Sequence, residues 1–160
     1  MDITLRPITE EEYNEWIVIS TNHQAKDQSS ASGKTMSEEM EKLNKMLPLL
    51  LPNGPHTERH HFYVIDTLNQ PNIGFLWIGK LPHLDDSSIF LFDIYVRSEY
   101  RSKGIGRTAM IQLEEIVNSL QYDKILLHVL KSNYARNLYE SLGYVPIENH
   151  EYSLIMEKEV

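Results

Sequence analysis

The run Leu91 to Met110, LFDIYVRSEYRSKGIGRTAM, limits the fold of this chain more than any other stretch. An alternating segment through Val96 reads as a strand, a basic loop with two glycines follows, and apolar spacing after Ile105 reads as a helix. Arg97, Arg101, Lys103 and Arg107 place four cations within eleven residues of a chain whose formal net charge is −8. Such a local inversion of charge points to an anionic ligand. Gly104 and Gly106 fall where a backbone would approach that ligand closely, and a helix start behind them presents unpaired N–H groups. Phosphate is the natural first candidate; a plain tight turn that opens a helix is the alternative account of the glycines.

The remaining pattern supplies the frame for this loop. Asp2 to Arg6 alternates as a short strand that Pro7 ends. Thr9 with Glu12 forms a capping box for a helix carrying Tyr13, Trp16 and Ile17 on one side. His23 to Lys34 is polar and reads as a loop or loose helical segment. Ser37 is expected to cap a second helix with Met40, Leu43 and Leu47 inward, and Pro48, Pro52, Gly54 and Pro55 are expected to break regularity. HHFYVID from His60, NIGFLWIGK from Asn72 and the strand Ile89 to Val96 follow one another with short connections, which predicts an antiparallel meander. Ile105, Ala109, Met110, Leu113, Ile116, Val117 and Leu120 recur with helical spacing, and a strand from Lys124 to Leu130 follows. Residues 89 to 130 therefore read as a β-loop-α-β unit, parallel and right-handed by default. Asn133 to Leu142 reads as a helix ended by Gly143, before strands around Tyr144 to Ile147 and Tyr152 to Met156. The sum is a single α/β (α+β) domain over residues 1–160, with a mixed, mainly antiparallel sheet of about seven strands and about four helices.

Composition narrows the function classes. At 160 residues one domain buries roughly 70% of its unfolded surface, enough to build a cofactor-sized cleft. No apolar run approaches the ~20 residues of a membrane span, so no membrane partner is expected. The N-terminus MDITLRPITEEE resembles neither a signal nor a transit peptide, and a cytoplasmic address is the expectation. Without cysteine there is no disulfide, no thiolate nucleophile and no cysteine-based zinc site. Overall acidity disfavours non-specific nucleic-acid binding and mildly favours amine partners. His60 and His61, adjacent on a strand, point to opposite faces and suit a shared metal poorly, so no metal is expected. One of them facing an acceptor site and both being ordinary core or surface residues stay open. Trp16, Phe75 and Trp77 read as core.

Competing phosphate motifs separate on spacing. GxxxxGK[ST] is absent. Gly104-x-Gly106-x-x-Ala109 matches a relaxed dinucleotide fingerprint, but seven residues, Arg97 to Lys103, separate strand from glycine, and the next strand ends Val129-Leu130-Lys131 without a ribose-binding carboxylate. What fits is Arg101-x-x-Gly104-x-Gly106 after an alternating strand, followed about 30 residues on by the helix NYARNLYESLGY from Asn133. Together these resemble the GNAT superfamily of acyl-CoA-dependent N-acyltransferases, the first its pyrophosphate signature [QR]-x-x-G-x-[GA], the second its downstream Asn…Ala…LYE element. Over its full length the chain is also similar to uncharacterised bacillus-type acetyltransferases, through the segment Leu50-Leu51-Pro52-Asn53-Gly54…His60-His61 and the strand Gly74-Phe75-Leu76-Trp77-Ile78.

The resemblance implies a site. Backbone N–H groups across Lys103, Gly104, Ile105, Gly106, Arg107 and Thr108, with Arg101 and Ser102, would cradle the pyrophosphate of acetyl-CoA. The cofactor arm would lie between central parallel strands that splay apart, paired with backbone groups of Ile94, Tyr95 and Val96, and an amide near Tyr95 would polarise the thioester. Asn133 would contact the arm from the other side. Tyr139 matches the tyrosine that protonates the departing thiolate; a phenol, with an unperturbed pKa of roughly 10, is protonated and available at neutral pH. It also reads as an ordinary core tyrosine. Many relatives carry Glu-Asp where this chain has Phe92-Asp93, so the glutamate often assigned as base is missing. Asp93, placed by alternation with Leu91 and Tyr95, either acts through water or holds a neighbour such as His128.

The expected function is therefore acetyl transfer from acetyl-CoA to a primary amine by direct attack in a ternary complex, since no cysteine exists to carry the acyl group. A non-catalytic acyl-CoA-binding module is the alternative and a dinucleotide-dependent oxidoreductase the third reading. Polyamine, aminoglycoside, amino acid and protein N-terminus all fit as acceptor, and the exposed C-terminal strands are compatible with a homodimer.

Overall fold

The structure, a computed structural model, describes residues 2–160. In chain order the elements are β1 (Ile3–Pro7), α1 (Glu10–Ser32), α2 (Met36–Leu50), β2 (His60–Thr67), β3 (Gly74–Gly79), β4 (Ser88–Val96), α3 (Ile105–Ser119), β5 (Lys124–Leu130), α4 (Ala135–Ser141), β6 (Val145–Asn149) and β7 (Ser153–Glu159). They form one seven-stranded sheet in the order β1-β2-β3-β4-β5-β7-β6. Every neighbouring pair is antiparallel except β4 and β5. A doubly wound dinucleotide fold needs a mostly parallel sheet, so that reading is excluded.

Two apolar layers cover the sheet. On one face Ile105, Ala109, Met110, Leu113 and Val117 of α3 pack with Ile65, Leu76, Ile78, Ile125 and Met156. On the other, Trp16 of α1 and Leu51 pack with Phe62, Val64, Phe75 and Trp77. All six residues of β3 are buried, as a central strand covered on both faces requires. β6 is exposed along its length and forms one edge of the sheet. Among the described residues no helix is long and apolar enough to cross a membrane.

Two helices depart from the sequence reading. α1 does not fray at His23 but continues to Ser32, where Gly33 at φ +77° closes it with a 3.1 Å bond from its N–H to the Ser29 carbonyl. Its buried stripe, Trp16, Ser20, Thr21 and Ala25, is small and polar after the first turn, so hydrophobic periodicity does not report it. The second helix is capped by Thr35 rather than Ser37: the Glu38 N–H donates to the Thr35 hydroxyl at 3.1 Å and the Glu38 carboxylate answers. Pro48 lies inside that helix, which runs on to Leu50. The proline costs the bond to the Asn44 carbonyl, at an exposed position where that carbonyl is open to solvent. Pro7, likewise, is the last residue of β1 rather than the stop before it.

β4 carries the feature that positions the site. Trp77 pairs with Asp93 whereas Ile78 pairs with Leu91, so Phe92 is an extra residue, a β-bulge. The alternation that would align Leu91 with Asp93 and Tyr95 is broken there. Leu91 and Ile94 belong to the α3-side core, Phe92 and Tyr95 to the α1-side core, and Asp93 reaches α1.

Candidate active site

β4 and β5 run parallel only from Ser88 paired with Lys124 to Leu91 paired with Leu127. Beyond that point they part, and the gap opens a cleft of about 630 Å³. Its walls are residues 91–96 of β4, residues 127–130 of β5, the turn and helix start at Asn133 to Ala135 with Tyr139, and α1 residues from His23 to Gln28. The Arg97 N–H donates to the Ile73 carbonyl at 2.9 Å, so the two-residue alternation turns Tyr95 toward β3 and leaves the backbone groups of Ile94 and Val96 facing the gap. The Ile94 N–H and carbonyl and the Val96 N–H are the free strand groups nearest Tyr95, the Val96 carbonyl being taken by Arg101.

At the mouth of the cleft stands the glycine loop. Gly104 is the N-cap residue of α3 at φ +79°, with no side-chain cap, and a Cβ built there would meet nothing within 4 Å. The Thr108 N–H donates to the Gly104 carbonyl at 3.1 Å and closes the first turn. That engages Thr108, whose hydroxyl also turns back to Gly104, and leaves the N–H groups of Ile105, Gly106 and Arg107 as the helix's free donors. Ile105 contributes through its backbone alone, since its side chain is core. Ser102, at φ +62°, turns the loop.

The four cations divide. Arg101 lines the cleft, donating to the Val96 carbonyl at 2.8 Å with its guanidinium 5.0 Å over the Tyr95 ring. Lys103 lies 5.7 Å over Tyr100. Arg107 crosses to the Ser141 hydroxyl at 2.8 Å. Arg97, in contrast, is tied to the α1 side, to the Asn72 carbonyl and Glu15 at 2.8 and 2.7 Å, above the Trp16 ring. It is a structural strut rather than a ligand group. Asn133 lines the cleft and accepts the Ala135 N–H at 2.9 Å, which holds the start of α4.

Tyr139 and Asp93 meet in this cleft. Tyr139 is 6% exposed; burial first, then the charge of Asp93, pushes its phenol upward, so it stays protonated. Asp93 does not hold His128, which lies on the opposite wall. Its Oδ2 accepts the Ser20 hydroxyl at 2.5 Å and meets His23 Nε2 at 2.7 Å. Burial opposes charge on His23, but the nearby Asp27 carboxylate and the hydrogen bond and charge of Asp93 outweigh it and raise its pKa to about 9. The Nδ1 side of the ring faces Asp27 at 3.8 Å, and the ring packs on Tyr95 with centroids 4.9 Å apart.

His23, Ser20 and Asp27 are absent from the sequence reading. The only signal for them is i, i+3, i+7 spacing of polar residues on α1, which marks one helix face only once the helix is known to continue. His60 and His61 stand elsewhere. His60 is buried and accepts from the Trp77 indole at 3.1 Å; burial, then His61, lowers its pKa to about 4. Among the described residues no group of three or more His, Asp or Glu is placed to hold a metal ion.

Comparison with known proteins agrees with this geometry. A profile described as the acetyltransferase (GNAT) family matches residues 15–144. The chain is 30% identical over 162 residues to the uncharacterized N-acetyltransferase YycN of Bacillus subtilis, covering 100% of each. The crystal structure of YycN superposes with a TM-score of 0.86 at 27% identity, over 93% of this chain and 96% of that one. At the level of fold, the PaiA N-acetyltransferase of Thermoplasma acidophilum, solved with coenzyme A, gives a TM-score of 0.73 at 20% identity over 100% of both chains.

Proposed function

Since this chain belongs to the acetyltransferase (GNAT) family, we propose that it transfers an acetyl group from acetyl-CoA to a primary amine by direct attack within a ternary complex. The observation that carries the reading is the parting of β4 from β5 beyond Leu91 and Leu127, with free strand amides on one wall and an uncapped helix start at its mouth. The donor set suits such a molecule. The free N–H groups of Ile105, Gly106 and Arg107, with Arg101 and Lys103 beside them, match a pyrophosphate in charge and in hydrogen-bond direction. Ile94 and Val96, on a strand edge left unpaired by the splay, match the amides of the pantetheine arm, with Asn133 on the facing wall. When bound, acetyl-CoA supplies an acetyl thioester.

The chain's own groups do the rest. An amide at Ile94 or Val96 stabilises negative charge growing on the carbonyl oxygen. Tyr139, kept protonated by its burial, donates a hydrogen bond to the sulfur as charge develops there and passes its proton as the C–S bond breaks. The acceptor enters from the α1 side, past His23, Gln24 and Asp27.

Tyr139→Phe tests the assignment. Thiol release from acetyl-CoA in the presence of amines is expected to fall about 10²-fold or more, while calorimetric affinity for acetyl-CoA is kept. Wild-type protein that binds acetyl-CoA but acetylates no amine is instead a non-catalytic acyl-CoA-binding module.

A further inference from the structure

Resting on the acetyl-transfer reading, a second question is what removes the proton that every ammonium acceptor carries at neutral pH. Asp93 is poorly placed to meet the acceptor itself: its side chain is 6% exposed, and its Oδ2 is occupied by two groups of α1. What it does is fix His23. A carboxylate only accepts, so the His23 nitrogen 2.7 Å away, Nε2, is the donor. With a pKa of about 9 the ring is mostly imidazolium at pH 7, and in its neutral fraction the lone pair is on Nδ1. That atom lies on the open side, where Asp27, half exposed, stands 3.8 Å off. A buried carboxylate, an oriented imidazole and a second carboxylate thus follow one another from β4 to α1, all three lining the cleft.

We propose that His23 is the base of the transfer, its Nδ1 taking a proton from the ammonium of an alkylamine acceptor, with Asp93 orienting the ring and Asp27 receiving the ammonium's charge. One N–H bond of the ammonium breaks and the Nδ1–H bond forms, so the positive charge moves from the acceptor onto an imidazolium flanked by two carboxylates. The freed lone pair attacks the carbonyl carbon, the C–S bonding pair leaves on sulfur, and Tyr139 protonates that sulfur. The nitrogen, left with two hydrogens and a positive charge, gives up its second proton through solvent to the tyrosinate, and His23 returns its proton to solvent. The acceptor class that follows is an alkylamine arriving as its cation.

The groups that set the pH response are on the page. Asp27 on α1 and Asp93 from β4 hold the proton on His23, the Tyr95 ring with Arg101 above it covers one side, and His128 of β5 lies across the cleft. A raised His23 is matched to an alkylammonium, whose own pKa is roughly 10.

His23→Gln keeps a donor toward Asp93 but cannot take a proton. In thiol-release assays with acetyl-CoA and a panel of alkyl diamines, polyamines and aminoglycosides, its kcat/KM near pH 9, where the wild-type ring is about half neutral, is expected about 10²-fold below wild type, with the deficit closing above pH ~10 as the acceptor loses its proton unaided. Its calorimetric affinity for acetyl-CoA is expected unchanged. A deficit equal at every pH, no deficit, or lost acetyl-CoA binding would overturn the role of His23. Failure of wild type on the whole panel would instead overturn acetyl transfer to alkylamines and the base with it. Should the variant not fold, nitrogen-15 NMR of the wild-type imidazole above pH 9, where the ring is neutral, decides: a ring protonated on Nε2 supports the proposal, and one protonated on Nδ1 overturns it.

Discussion

His23 makes a stability prediction that needs no substrate. Its folded pKa of about 9 stands above the unfolded value of 6.5, because Asp27 and Asp93 outweigh the burial that disfavours its charge. The stabilisation is therefore complete below pH 6.5 and is lost as pH rises through about 9. His60 works in the other window: its pKa is lowered to about 4, so its contribution is present above 6.5 and lost in acid. The melting temperature of wild type is expected to fall between pH 6.5 and 9, and Asp93→Asn to flatten that slope. Equal slopes in thermal scans of the two proteins would show that the Asp93–His23 contact contributes nothing to folding. Tyr139 and Asp93 were named from the sequence as candidates, and the structure puts both in one cleft, but the tie of Asp93 to α1 was not legible. Nor was Arg97's diversion to Glu15 and Trp16, because four cations in a row of residues say nothing about which way each side chain leaves the backbone.

At the scale of elements, local signals worked where a backbone group needed a specific partner. The Thr9 capping box and the glycine-opened helix α3 are both present: the first satisfies N–H groups at the start of α1, and the second, uncapped, leaves its first N–H groups free. Position 104 separates folding from binding. Alanine there meets no atom within 4 Å but must hold φ +79°, a strain of about 1 kcal/mol, so Gly104→Ala should fold with a small loss of melting temperature. Gly104→Trp should fold as well and abolish acetyl-CoA binding, read by calorimetry. Retained binding in the tryptophan variant would remove the loop from the donor site. The continuation of α1 past His23 was hidden because its buried stripe there is Ser20, Thr21 and Ala25 rather than apolar bulk. Likewise the bulge at Phe92 leaves no composition trace, yet it carries Asp93 to α1.

For the whole molecule, charge and topology act together. A chain of net charge −8 presents Arg101, Lys103 and Arg107 around one helix start, so an anionic donor is attracted locally against a repelling background. Acetyl-CoA affinity is expected to weaken about tenfold between low and molar salt, where the Debye length shrinks from about 30 to 3 Å. Salt-independent calorimetry would argue against the loop. The strand-loop-helix order and the sharpest part of the family resemblance were readable from residues 89 to 145, and the seven strands from the pattern along the whole chain, because near-neighbour spacing decides periodicity, turn chemistry and helix starts. The cleft itself was decided elsewhere. It exists because β4 and β5 separate after four pairs, and because a polar helix far away in sequence lies across the gap and lends it His23 and Asp27. Those contacts join positions some seventy residues apart, Ser20 and His23 to Asp93, where only the packed sheet brings the partners together.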